Sequence, residues 1–197
     1  MATPRKHRDA ILASAVRLFR RQGYAATGLA EILSESGAPK GSLYHYFPGG
    51  KTEIGAAAVA TAGAKVAETL KSIAGETSGP GDLIARYLTL LAGWMAESGY
   101  RDGSPITTTL LETVPGNDAI REAGLAAFAS WSDVLEASAQ GAGIAPGRAR
   151  TLARFSIAAL EGALIQCRVA GSGAPLHEAA AELRALYDSA RLQSAVS

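Results

Sequence analysis

Cysteine is nearly missing from this chain. Cys167 stands alone, so no disulfide can close within the chain and no cysteine cage can hold a metal. That usage fits a reducing cytoplasm. Histidine is scarce as well: His7, His45 and His177 are too dispersed to form an H-x-x-x-H pair. There is no G-x-S-x-G elbow, no phosphate-cradling Walker loop and no paired acidic metal motif, which argues against an enzyme and calls for no cofactor. The stretch "GAGIAPG" at 141–147 follows no strand and reads as punctuation between helices. Long apolar runs are missing too. The start, "MATPRKHRDAILASAVRLF", is interrupted by Ser14 and Arg17, so it reads as an amphipathic helix and not as a signal peptide. No window approaches a membrane span, and a soluble, cytoplasmic chain with no membrane partner is expected.

Charge is present but unevenly placed. The whole chain carries a formal net charge of +1, yet residues 1–51 carry +5 and residues 52–197 carry −4. A basic front attached to an acidic remainder points to a nucleic-acid-facing N-terminal piece. Helical periodicity dominates and strand alternation is almost absent, so the expected fold is all-α with about nine helices. The first helix covers 5–22, with Ile11, Leu12, Ala15, Val16 and Phe19 on one face and Gly23 at its end. Thr27 is the expected N-cap of a short helix over 28–35, whose Leu29, Ile32 and Leu33 point inward. Pro39 suits the first position of a third helix running to about Phe47. A long helix then spans 51–73, and "GETSGPGD" at 75–82 is a linker-like break. Further helical patterns cover 82–98, 104–113, 117–140, 147–170 and 175–192.

The stretch "GAPKGSLYHYFPGGK" at 37–51 is the most irregular and most aromatic in the chain. Two short helices joined around Gly37 have the layout of a helix-turn-helix, whose second helix enters the major groove of DNA. Leu43 and Phe47 lie four apart and would face the core, leaving Lys40, Tyr44 and His45 on other faces. Gly41 would let the backbone approach a base or phosphate, and Lys40, Lys51, Tyr44 and Thr27 offer phosphate contacts. Each feature also has an ordinary role: glycine and proline punctuate helices in any fold, tyrosines fill cores, and most lysines are simply solvated. The joint occurrence, in this order and in a basic segment, favours DNA reading.

Residues 5–52 resemble the DNA-binding domain of the tetracycline-repressor (TetR) family of bacterial transcriptional regulators. The matching stretches are "RDAILASAVRLFRRQGYAATGLAEIL" and "SGAPKGSLYHYFPGGKTEI". "HYFPGGK" is similar to the branch that includes repressors of multidrug-resistance genes. Gly28 departs from the small hydroxyl or β-branched residue common at that position. The resemblance implies a DNA-binding domain at 1–52 and a helical ligand-sensing and dimerisation domain at 53–197. It implies Thr27, Lys40, Tyr44, His45 and Lys51 for backbone contacts, with Gly41, Ser42 or His45 nearest the base edges. Arg5 and Lys6 could reach an adjacent groove, or belong to a tail with no contacts.

One short recognition helix neutralises few phosphates, so a homodimer on a palindromic double-stranded operator is expected. Leu152, Phe155, Ala159, Leu160, Ala163, Leu164 and Cys167, with Leu183, Leu186 and Tyr187, recur at helical spacing near the C-terminus. By resemblance they form a four-helix bundle between subunits; alternatively they close the core of one subunit. The middle helices would hold a small-molecule inducer, with Tyr87, Trp94, Met95, Thr108, Phe128, Trp131 and Glu161 as candidate contacts. Glu161 lies mid-helix in an apolar run with no basic residue three or four positions away, so it needs water, a donor on another helix or a ligand. A regulator that answers to a protein partner, or represses constitutively, is the other reading.

Overall fold

The computed structural model describes residues 4–194 of the protein. Among the described residues there are nine α-helices and no strand. They are α1 (Pro4–Gln22), α2 (Leu29–Ser36), α3 (Lys40–Tyr46), α4 (Gly50–Ala74), α5 (Pro80–Glu97), α6 (Pro105–Thr113), α7 (Asp118–Gly141), α8 (Pro146–Ala170) and α9 (Ala174–Ser194). The chain packs as two units, one comprising residues 1–64 and 104–127 and the other 65–103 and 128–197. Helices α4 and α7 each contribute to both.

In the first unit, α1 buries Ile11, Leu12, Ala15, Leu18 and Phe19. That stripe meets Ile32 of α2, Leu43 of α3, Phe47 just after it, and Ile54 and Ala58 of α4 in one apolar cluster. Helix α3 has only seven residues. A helix of that length is unstable alone in water, so its conformation depends on this burial. Gly37 adopts φ 63°, a left-handed conformation that most side chains resist, and its N–H caps α2 on the Leu33 carbonyl at 3.1 Å. That residue turns the chain from α2 into α3. Outside the core, Arg17 meets Glu35 at 2.8 Å and Gln22 donates to Glu31 at 2.8 Å, tying α1 to α2.

Two capping expectations are corrected. The N-cap of α2 is Gly28, without a side-chain cap. Thr27 is buried instead, its hydroxyl donating to the Gly23 carbonyl at 2.7 Å. A buried hydroxyl must find a partner, and the nearest acceptor is the end of α1. Pro39 is the N-cap of α3 rather than its first helical residue.

In the second unit, α5 buries Leu83, Ile84, Tyr87, Leu88, Ala92 and Met95. Facing them are Leu176, Ala180, Leu183, Tyr187 and Ala190 of α9, all buried. Helix α8 adds Leu152, Ala153, Leu160, Ala163, Leu164 and Cys167. Ser156 and the Tyr187 hydroxyl meet at 3.2 Å, and Ser156 donates to the Leu152 carbonyl, so both buried hydroxyls are satisfied. Arg184 pairs with Asp82, linking α9 to the start of α5.

This packing corrects the dimer expectation for seven residues. Leu152, Leu160, Ala163, Leu164, Cys167, Leu183 and Tyr187 are buried within the chain itself. Helical spacing shows that a face is apolar but not which neighbour covers it, and here α5, α8 and α9 cover one another. Ala159 and Leu186 are partly buried, and Phe155 alone of the predicted set is exposed. The outer face of α8 carries Phe155, Ala158, Gly162, Ile165 and Val169 instead. Val169 is 85% exposed, and Leu192 on α9 is 66% exposed.

Leu43→Ala tests the core of the first unit. It removes a fully buried side chain, so urea unfolding should show a loss of about 2–5 kcal/mol.

Candidate nucleic-acid interface

Inward rotation of Leu43 and Phe47 decides which α3 side chains reach solvent. Lys40, Gly41, Tyr44 and His45 are exposed, and Tyr44 is 54% exposed although it is an aromatic residue. Ser42 is partly buried, and its N–H donates to the Pro39 carbonyl at 2.8 Å in the first turn. His45 and Tyr46 meet edge to face, with ring centroids 4.8 Å apart. The face therefore presents a cation, a bare backbone position, a phenol and an imidazole side by side on a short helix. These groups suit phosphate and base-edge contacts.

Lys51 is placed differently from the other lysine. Its ammonium donates to the Ala25 carbonyl at 3.2 Å and lies 4.4 Å from the centre of the Tyr24 ring. Partial burial holds its pKa below the usual lysine range, while the nearby Glu112 carboxylate pushes it back up. Lys51 is thus tied to the α1–α2 turn. Thr27, buried, presents no hydroxyl to a phosphate. Lys6 is exposed, whereas the side chain of Arg5 lies outside the described residues. Two further residues, not among the expected contacts, pack around the helix-turn-helix. Arg8 lies over the Phe47 ring at 5.7 Å, beside the end of α3. Glu112 binds the Ala25 N–H at 2.5 Å. Arg8 sat within the basic N-terminal run, but no spacing in the sequence pairs Glu112 with Ala25.

The expected ligand residues divide between the two units. A small apolar crevice of about 10 Å³, in part open to solvent, is lined by Val66, Leu70, Ile84, Tyr87, Trp131, Leu135, Ile157 and Leu160. Tyr87 and Trp131 belong to it. Phe128 packs edge-on against Trp131, with centroids 5.3 Å apart. Burial, and then the Glu161 carboxylate nearby, raise the Tyr87 phenol well above its ordinary pKa. Trp94 is 43% exposed and Met95 is buried, and neither lines the crevice. Thr108 is in the other unit: its methyl group faces Gly23 and its hydroxyl donates to the Ser104 carbonyl at 2.8 Å. The resemblance put all of these in one sensing region without saying which unit each would join. Among the described residues no group of His, Cys, Asp or Glu gathers to hold a metal ion, and no helix is long and apolar enough to cross a membrane.

A buried three-helix head with a turn at Gly37 and a polar, aromatic α3 face defines a helix-turn-helix DNA-binding regulator. Residues 11–58 match the family described as bacterial regulatory proteins, tetR family, and residues 80–182 match the LmrA/YxaF-like C-terminal domain of transcriptional regulators. The chain belongs to the TetR family and is a transcriptional regulator, not an enzyme. It is 32% identical to the HTH-type transcriptional regulator LmrA of Bacillus subtilis, over 86% of this chain and 90% of that one. An uncharacterized HTH-type regulator of Mycobacterium tuberculosis is 35% identical, over 91% and 93% of the two chains. A TetR regulator from Chloroflexus aurantiacus has a similar structure at 28% identity and TM-score 0.78, with 94% and 96% of the chains covered. One from Rhodobacter sphaeroides shares the fold at TM-score 0.79 and 23% identity, covering 90% and 96%.

Both Lys40 and Tyr44 are exposed, so changing them to alanine should leave the melting temperature within a few degrees of native. Anisotropy titration of a footprinted upstream fragment should show at least about a tenfold loss of affinity for the double variant. Lys40→Ala alone should lower the slope of log K against log salt by about 0.9 for each subunit bound.

Proposed function

We propose that the protein is a homodimeric repressor that binds a palindromic operator and is released from it by a small lipophilic molecule. It acts in the cytoplasm, where its DNA is. Residues 1–52 serve as the reading head, through Lys40, Gly41, Ser42, Tyr44 and His45, and residues 53–197 sense and dimerise. The apolar crevice carries the sensing reading. Tyr87 and Trp131 line it, and the Glu161 carboxylate lies near enough to the Tyr87 phenol to raise its pKa. Apolar walls with one or two placed polar groups are how small-molecule pockets are built. Helix α4 contributes Val66 and Leu70 to the crevice and begins at the reading head, so a ligand that displaced it would cost operator contacts. Ligand and DNA would then weaken each other by the same factor.

The size of the crevice favours a second reading. Pockets for drug-sized ligands run to roughly 300–1,000 Å³, whereas the crevice holds about 10 Å³, the space of about one water. A regulator that represses constitutively, or answers to a protein, needs no such cavity. A panel of lipophilic aromatic compounds separates the two. Under the sensing reading at least one compound raises the melting temperature of the free protein and also releases the operator fragment. At a free concentration about 100 times its Kd, such a ligand adds about 2.7 kcal/mol of stability. If no compound does both, the constitutive or partner-driven reading replaces it.

The exposed stripe Phe155, Ile165 and Val169 on α8, with Leu192 on α9, supports the dimer. Ala158 and Gly162 lie within the stripe and would allow a second helix to approach closely. Ile165→Asp should shift the sedimenting mass from dimer to monomer. It should also weaken operator binding by about 100-fold or more, since two linked half-sites become one.

A further inference from the structure

Ala25 sits on the exposed turn between α1 and α2 and has no side chain able to reach a neighbour. Nevertheless both its backbone polar groups are held by charged side chains from two other helices. Its N–H donates to the Glu112 carboxylate of α6 at 2.5 Å. Its carbonyl accepts from the Lys51 ammonium of α4 at 3.2 Å. The carboxylate also presses on Gly23: a Cβ there would fall 2.6 Å from Glu112 Oε1, and the residue has φ +90°. From the other side, Lys51 covers the Tyr24 ring at 4.4 Å, and that ring packs so closely on Gly55 that a Cβ there would lie 2.8 Å from it. The turn passes this geometry directly to α2. Thr27 donates its N–H to the Tyr24 carbonyl at 3.1 Å and its hydroxyl to the Gly23 carbonyl, and α2 begins two residues later.

We infer that Glu112, far from the helix-turn-helix in sequence, is a positioning residue for operator binding that acts through the Ala25 N–H. It makes no DNA contact of its own. An ionised acceptor on a backbone N–H gives one of the stronger hydrogen bonds available to a protein. Here that bond fixes the segment from which α2 and then α3 are launched. Charge adds a second constraint, because the carboxylate lies close enough to Lys51 to draw the ammonium toward the same residue. Orientation and not affinity for phosphate is what Glu112 supplies, since its own charge repels DNA.

The test uses the full chain and anisotropy titrations over a salt series, on the footprinted operator fragment and on a non-operator duplex. Native protein must first prefer the operator. If it does not, the DNA-reading assignment fails before any variant is made. Glu112→Ala should lose about tenfold in operator affinity for each subunit bound, the worth of one charge-assisted hydrogen bond. Its binding to the non-operator duplex and its salt slope should stay native, because no phosphate contact is lost. Glu112→Gln should recover most of the loss, since an amide oxygen still accepts from the Ala25 N–H. A native operator preference in Glu112→Ala would overturn the proposal. So would tighter binding of both variants to every DNA with a steeper salt slope, which would make Glu112 only a repelling charge. A parallel loss of melting temperature and of binding to both duplexes would overturn it too, by reducing Glu112 to a stabilising contact.

Discussion

Burial of Leu43 and Phe47 is the constraint on which the DNA-reading head depends. Helix α3 is too short to persist alone, and these two side chains anchor it in a core shared with Ile11, Phe19, Ile32 and Ile54. The same anchoring settles its rotation. With residues 43 and 47 turned inward, one turn apart, positions 41, 44 and 45 turn outward, and Lys40 is exposed at the first position of the helix. Stability and recognition are therefore set by one choice of face. The outward set needs no packing partner of its own, so its composition is free to serve DNA.

A similar division governs α8, with a different outcome. Its inner face fills the second unit with Leu152, Leu160, Leu164 and Cys167 against α5 and α9. Its outer face is also apolar, from Phe155 through Ile165 to Val169, and these three side chains are exposed. A helix apolar on both faces is suited to joining a subunit core to a partner. Ala158 and Gly162, small and on the outer side, fit that role better than the bulky residues that were the more conspicuous candidates.

Electrostatics near the reading head pull in two directions. Lys51 would be most useful to a phosphate if fully solvated, yet it lies over Tyr24 and against the Ala25 carbonyl, partly desolvated. Glu112, an anion, stands on the same turn. Such a pair gains little from Coulomb attraction in a solvated setting. Its effect is geometric: two long side chains from α4 and α6 hold the backbone of Ala25, whose own side chain offers nothing to hold it.

Much of this protein could be read from the sequence. Helix boundaries fell within a few residues of those observed, because glycine, proline and apolar spacing are local signals. The helix-turn-helix was legible for the same reason: Gly37, Leu43 and Phe47 act within one short segment. Where reasoning failed, a tertiary choice lay behind it. Thr27 looks like a cap, but burial against the end of α1 takes its hydroxyl elsewhere. Leu160 and Phe155 look alike as members of one apolar pattern, yet one is buried beside Ile84 and Tyr87 of α5 and the other is exposed. Thr108 and Trp131 read as neighbours in one sensing region, and packing assigns them to different units. Glu112 carried no signal at all, since its partner lies 87 positions away. The sequence alone determined which segments are helical and which short helix can face DNA, because those depend on residues close along the chain. The tertiary structure alone decided which apolar faces are already covered and which charged side chains meet, because those depend on neighbours that the chain brings together only on folding.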